Sequence, residues 1–255
     1  MGFKDAVVTG CPSLFQMGRD LKISNDKVER SDFIATLNGT FRLPITRKST
    51  RNSDFICQDK SGKFLYDPEY IKNNPFTLRR ILKYVKRGDY EYVQALADNR
   101  IKLFADTQQW MSYYIQNDVS FSFGSRIHGT IMPILSGVPS LCYTMDARTR
   151  EMAEFFDIPH IEPSKNLKSK ELYDWYLETD YSKFNKSFSK RFDAYEAFLR
   201  KCGLVQNINQ ENIFMSRVKT DVAIPEIINQ KQIDELNSLI KRNKLIINAL
   251  NLYYK

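Results

Sequence analysis

The amino-acid sequence predicts an α/β chain: a Rossmann-like parallel sheet flanked by helices over residues 1–203, then a helical extension over residues 204–255. Three observations carry that prediction. Short runs rich in β-branched and aromatic residues alternate with longer stretches of helical periodicity. One stretch, Val119–Thr144 (VSFSFGSRIHGTIMPILSGVPSLCYT), spells a complete strand–helix–strand unit of the parallel kind. From Gly203 onward the chain turns polar and asparagine-rich, and it ends in an amphipathic helix candidate from about Lys231 to Tyr254. With 255 residues, 42% hydrophobic and 13% aromatic, the chain can bury a sizeable core.

In chain order, Ala6–Thr9 reads as a first short strand with Gly10–Ser13 as its turn. A buried strand so early carries the expectation that more chain precedes it. Asp32–Leu37 reads as the next strand, closed by Asn38-Gly39. Phe41–Asn52 contains Arg42, Arg47, Lys48 and Arg51 and reads as a basic loop running into a helix. Asp54–Gln58 is a third strand candidate. Asp67–Ala97 turns helical, broken at Asn73-Asn74-Pro75. There Leu78, Ile81, Leu82 and Val85 form an apolar stripe, with Arg79, Arg80, Lys83 and Lys86 off it. Ile101–Ala105 is a strand, and Asp106-Thr107 opens a helix through Gln116. In the central unit, Val119–Phe123 is a strand that Gly124 breaks, and Ser125 occupies the place of a helix N-cap. Ile127, Ile131, Ile134 and Leu135 recur at helical spacing, Gly137 stops the helix, and Pro139 leads into the strand Ser140–Tyr143. A helix over Arg148–Phe156, a strand ending near Ile161, and helices over Leu172–Leu177 and Tyr181–Leu199 follow.

The formal net charge of +8 suits anionic partners: phosphates, nucleotides or an anionic membrane surface. No zinc-finger spacing, ribonucleoprotein motif or basic arm is present, so nucleic acid is not an expected partner. The four cysteines are scattered without a CxxC pair, and Cys11 and Cys142 read as buried free thiols, which favours a reducing compartment. Neither a signal peptide nor a run of membrane-span length is present, so the expected location is cytoplasmic. The basic face around Arg79–Lys86 adds the expectation of a peripheral contact at the inner face of the membrane. No spacing suggests a metal site.

Ser125, Arg126, His128 and Gly129 share the turn that opens the central helix. Free N–H groups and the positive end of the helix dipole make such a place an anion site. Arg126 can hold a phosphate or carboxylate in a forked geometry, and His128 can donate to the same anion or supply a proton. Gly129 lets a ligand or the preceding strand come close to the backbone. Asp146, Arg148 and Arg150 lie just beyond the next strand, at the edge where doubly wound sheets gather ligands. The two arginines can equally cap or solvate the helix that follows them. His160, the second of only two histidines, follows a proline beside a strand and reads as structural. By themselves these residues indicate a phosphate-bearing ligand and nothing narrower.

The run Ser125-Arg126-Ile127-His128-Gly129, followed by an apolar helix and Gly137-Val138-Pro139, resembles the signature of the polysaccharide pyruvyl transferase family. Thr9–Ser13 and Asp146–Glu151 are similar to segments of one branch of that family, and the likeness spans roughly Asp5 to Ile161. The resemblance implies the C-terminal half of a fold like that of B-type glycosyltransferases, facing a second Rossmann-like half across a cleft. It implies transfer of pyruvate from phosphoenolpyruvate onto two hydroxyls of a sugar or lipid-linked saccharide, as a cyclic ketal, in surface polysaccharide biosynthesis. Phosphoenolpyruvate would be the donor substrate, with no cofactor and no metal. Arg126 and His128 would be the catalytic pair, and Ser125, Gly129, Asp146, Arg148 and Arg150 would bind substrate.

Three other readings use the same residues. A B-type glycosyltransferase would hold a nucleotide diphosphate at the helix N-terminus and a ribose on Glu151 or Glu154. A truncated, non-catalytic half would only bind an anion or a partner chain. A nucleic-acid binder is favoured by net charge alone.

Overall fold

The computed structural model describes residues 6–39, 43–58, 95, 98, 100–104, 106–164 and 166–204. Its six strands are β1 (Ala35–Asn38), β2 (Asp54–Ile56), β3 (Ile101–Lys102), β4 (Phe121–Gly124), β5 (Ser140–Tyr143) and β6 (His160–Ile161). They form one parallel sheet in the order β3-β2-β1-β4-β5-β6. The chain therefore builds outward from β1 in one direction, returns to the middle, and builds outward from β4 in the other. That is doubly wound topology, and its switch point lies between β1 and β4. In the register there, Leu37 sits opposite Phe123 and Asn38 opposite Gly124.

The helices are α1 (Arg47–Arg51), α2 (Thr107–Gln116), α3 (Ile127–Leu135), α4 (Ala147–Phe156), α5 (Leu172–Glu178) and α6 (Ser182–Lys201), preceded by a 3₁₀ helix at Pro12–Met17. Every residue of β1, β4 and β5 is buried, as a sheet covered on both faces requires. Alternation along the strands sorts the core. Ala35, Leu37, Phe121, Phe123, Leu141 and Tyr143 face Leu172, Trp175 and Tyr176 of α5. Ile56 and Cys142 turn the other way, into a larger cluster built by α2, α3, α4, α6 and the 3₁₀ helix. The aromatic centre of that cluster is Phe15, whose ring lies 5.6–5.8 Å from those of Phe156, Phe188 and Phe192. Tyr181 ties the cluster to the sheet: its hydroxyl donates to Ser140 O at 2.6 Å and accepts from Ser140 N at 2.9 Å.

Residues 19–30 have little regular structure, yet hydrogen bonds to α5, to its C-cap residue Thr179 and to α6 hold them in place. Asn185 accepts from Ile23 N–H at 2.9 Å and donates to Ile23 O at 2.8 Å. Lys27 Nζ donates to Thr179 O at 2.8 Å, Val28 N–H donates to the Tyr176 hydroxyl at 3.0 Å, and Arg19 forks onto Asp193. These bonds replace the ladder that a strand would have supplied.

The structure corrects several expectations. No strand forms at Ala6–Thr9: Val7 and Val8 are 50% and 77% exposed, and among the described residues no strand pairs with them. The predicted strand Asp32–Leu37 starts at Ala35, because Asp32 N–H closes a turn onto Glu29 O. Strands predicted at Asp54–Gln58 and Ile101–Ala105 end at Ile56 and Lys102, where β2–β3 pairing stops. The N-cap of α3 is Arg126, one residue later than predicted, because Ser125 N–H still bonds Asn38 O. Cys142 is buried and free, whereas Cys11 is only half-buried, with its Sγ 2.9 Å from the Ser13 hydroxyl. Apart from Ala95, which is helical and buried, and Leu204, the helices predicted in Asp67–Ala97 and Lys231–Tyr254, the basic face at Arg79–Lys86 and the C-terminal extension lie outside the described residues. Among the described residues no helix is long and apolar enough to cross a membrane.

Candidate functional site

Ser125, Arg126, His128 and Gly129 sit together at the carboxyl end of β4, on the switch-point side of the sheet. Arg126 and His128 are exposed, Ser125 is half-buried, and Gly129 is buried. The local cause is legible in the backbone. Arg126 keeps an extended conformation (φ −108°, ψ 127°), and α3 begins at the next residue. Gly137, with φ 79°, ends the helix in the left-handed region that side chains avoid. Arg126 supplies no side-chain acceptor to the first turn. The N–H groups of a first turn have no partner within the helix, so this end keeps its positive potential.

The turn is pinned to β1 by Asn38, which is fully buried. Its Oδ1 accepts from Arg126 N–H at 3.1 Å, and its Nδ2 donates to Gly129 O at 3.1 Å. Pro133 lies inside α3, four residues after Gly129, and has no N–H to give that carbonyl. The Asn38 amide takes the place of the missing main-chain donor. Gly129 has to be glycine here, because a Cβ would overlap Asn38 Cγ and Oδ1 and Gln58 Nε2. The Gln58 nitrogen itself is buried, with no hydrogen-bond partner among the described residues.

The second group of predicted residues lies on the neighbouring turn, after β5. Asp146 is the N-cap of α4: its Oδ1 accepts from Thr149 N–H at 2.7 Å, and that bond holds its carboxyl below the usual carboxylate value. Arg148 is exposed beside it and its charge acts on the same carboxylate. Arg150 points elsewhere, to Glu154 at 3.9 Å and Glu162 at 3.5 Å. The structure therefore gathers Ser125, Arg126, His128 and Gly129 on one turn and sets Asp146 and Arg148 on the next. Adjacent strands are about 5 Å apart, so the two turns are neighbours.

His160 occupies the opposite edge, at the start of β6, with its Nδ1 2.9 Å from Ile158 O. A cleft of about 580 Å³ opens there, lined in part by Leu141, His160, Trp175 and Lys183. Its carboxylates are already engaged: Glu154 with Arg150, Asp157 with Arg191 and Ser187, Glu178 with Lys170, and Asp180 with Ser182. The acidic lining of this cleft opposes an anionic ligand. The switch-point edge, with its exposed Arg126, His128 and Arg148, has the chemistry for one.

Asn38 is the residue that sequence reasoning did not single out as functional. The available signal was the spacing of Gly129 and Pro133, which leaves a helical carbonyl in need of an outside donor. Among the described residues no group of three or more His, Cys, Asp and Glu side chains comes together to hold a metal ion. Compared with family models, curated proteins and solved structures, the chain gives no match.

Proposed function

We propose that this chain acts on phosphoenolpyruvate as a polysaccharide pyruvyl transferase, binding the donor at the Arg126–Gly129 turn. The observation that carries the reading is the start of α3 at the switch point, where the N-cap residue Arg126 places no acceptor of its own on the first turn and Arg126 and His128 are both exposed. A phosphate at a helix N-terminus gains from backbone N–H groups and from the dipole, and Arg126 adds a fork for phosphate or carboxylate. His128 donates to the same anion or acts as general acid.

In the proposed reaction, a proton adds to the methylene carbon of phosphoenolpyruvate while one sugar hydroxyl, losing its proton, bonds to the adjacent carbon. The second hydroxyl then displaces phosphate from that carbon, and its proton leaves with the inorganic phosphate. The product is a cyclic ketal of pyruvate. In this reading His128 gives the first proton, and Arg126 neutralises phosphate charge through both steps. The acceptor would be a sugar or a lipid-linked saccharide, at the inner face of the membrane if lipid-linked.

One observation favours a second reading. The strand order is the one in which dinucleotide folds bind phosphates at the same edge, so a nucleotide-sugar glycosyltransferase would use the same turn. Calorimetric titration of the full chain with phosphoenolpyruvate and, separately, a nucleotide-diphosphate sugar separates them. Phosphoenolpyruvate binding that weakens about tenfold or more in His128→Ala, the worth of one charge-assisted hydrogen bond, supports the transferase. Binding of the nucleotide sugar alone contradicts it.

A further inference from the structure

We infer that Asn38 is a positioning residue of the anion site, and that it acts by standing in for the main-chain donor that Pro133 removes. The inference rests on the phosphoenolpyruvate reading of that site, but its structural part stands on separate observations.

In an uninterrupted α-helix the carbonyl of residue 129 would accept from the N–H of residue 133. Pro133 has none, and its ring crowds that same carbonyl. A buried carbonyl left without a donor is costly. Asn38 reaches it from β1 and donates from Nδ2 at 3.1 Å. The other half of the same amide accepts from Arg126 N–H at 3.1 Å, just before the first turn. One planar group thus bonds the residue before α3 and the third residue within it, and His128 lies between the two points. Fixing both ends of a four-residue segment sets the direction of the first-turn N–H groups and of the Arg126 and His128 side chains that leave it.

The placement is dictated by the sheet. Asn38 pairs with Gly124 in the β1–β4 register, and strand alternation turns its side chain to the face that α3 covers. It is fully buried, and the absence of a Cβ at Gly124 and at Gly129 is what leaves room for it, since a methyl at either would overlap its side chain. A group enclosed this closely has one orientation, and that orientation satisfies both of its bonds. Asn38 does not face solvent, so its effect on a ligand passes through the turn.

The test uses the full chain with phosphoenolpyruvate as the probe, in four forms: wild type, Asn38→Ala, Pro133→Ala and the double variant. Asn38→Ala is expected to weaken calorimetric affinity at least tenfold. Pro133→Ala restores an N–H to the helix, so the double variant is expected to recover part of that loss, which a general packing defect at position 38 would not allow. Amide hydrogen exchange provides a readout that needs no ligand. The Arg126 amide is expected to exchange at least tenfold faster in Asn38→Ala, while the Thr149 amide, capped by Asp146 on the next turn, keeps its rate. An Asn38→Ala chain that binds as wild type, or a double variant no tighter than Asn38→Ala, overturns the inference. If wild type ignores phosphoenolpyruvate, the functional reading fails and the exchange rates alone decide: an unchanged Arg126 rate overturns the positioning role, and a selective increase sustains it. Should Asn38→Ala fail to fold, Asn38→Asp keeps the acceptor for Arg126 N–H and loses the donor to Gly129 O; binding by that variant equal to wild type overturns the inference.

Discussion

β4–α3 and β5–α4 are adjacent units built to one plan, a four-residue buried strand, a short turn and a helix of nine or ten residues. The difference that bears on a ligand lies at the N-cap of each helix. The N-cap of α4 is Asp146, whose carboxylate takes Thr149 N–H and so places a negative charge on the positive end of its own helix. The N-cap of α3 is Arg126, which contributes a second positive charge instead of an acceptor. α2 follows the α4 pattern, with Asp106 accepting from Gln109 N–H at 2.8 Å. A helix dipole at the carboxyl edge of a parallel sheet therefore does not by itself make an anion site. The chain decides, turn by turn, whether that potential is spent on its own carboxylate or left for a ligand.

The comparison can be broken by exchanging the caps. Arg126→Asp gives α3 the cap of α4, replaces the attracting charge with a repelling one, and is expected to remove phosphoenolpyruvate binding altogether, beyond about a hundredfold from two charge-assisted interactions. Its melting temperature is expected to hold or rise, because the new carboxylate caps the helix. Retained binding in that variant would show that the anion sits elsewhere.

Gly129→Ala should act through packing. The added methyl overlaps Asn38 and Gln58, and overpacking of this kind costs about 1–3 kcal/mol. Urea unfolding measures the loss, and phosphoenolpyruvate affinity should fall with it because the turn is displaced.

Asp146→Ala is the mildest change and tests the closed unit. Loss of the cap should cost about 1 kcal/mol without altering phosphoenolpyruvate binding. The carboxyl of Asp146 is held below its ordinary value of 3.8 by the Thr149 N–H. Its contribution is therefore complete above that value and disappears as the pH falls through the lower folded-state value. The stability gap between wild type and Asp146→Ala should be constant near neutrality and close in acid. A gap that widens in acid would contradict the capping role.

Local pattern made most of the fold legible. Helical periodicity placed α2, α3, α4 and α6 to within a residue or two, because an apolar stripe is a property of neighbouring residues. Strands were harder, since a strand exists only where a partner does. Val7-Val8 looks like a strand in composition but pairs with no strand among the described residues, and Phe33 and Ile34 precede the ladder that their composition suggests. The site divides in the same way. Arg126 and His128 were visible because they share one turn of one helix. Arg150 pairs with Glu154, a legible i,i+4 spacing, but also with Glu162, which only the β5–β6 pairing brings near. Asn38 was hidden because it is 88 residues from Arg126 and 91 from Gly129 in the chain. Which face of the sheet it presents depends on register, and a slip of one residue would reverse it.

The most direct test of the comparison is amide chemical shift during titration with phosphoenolpyruvate, followed at the first turns of α3 and α4 together. The amides of Ile127, His128 and Gly129 are expected to move in a saturable way while those of Ala147, Arg148 and Thr149 stay in place. Saturable movement at Ala147–Thr149 without movement at Ile127–Gly129 would contradict this expectation, and so would a titration that leaves both turns unchanged.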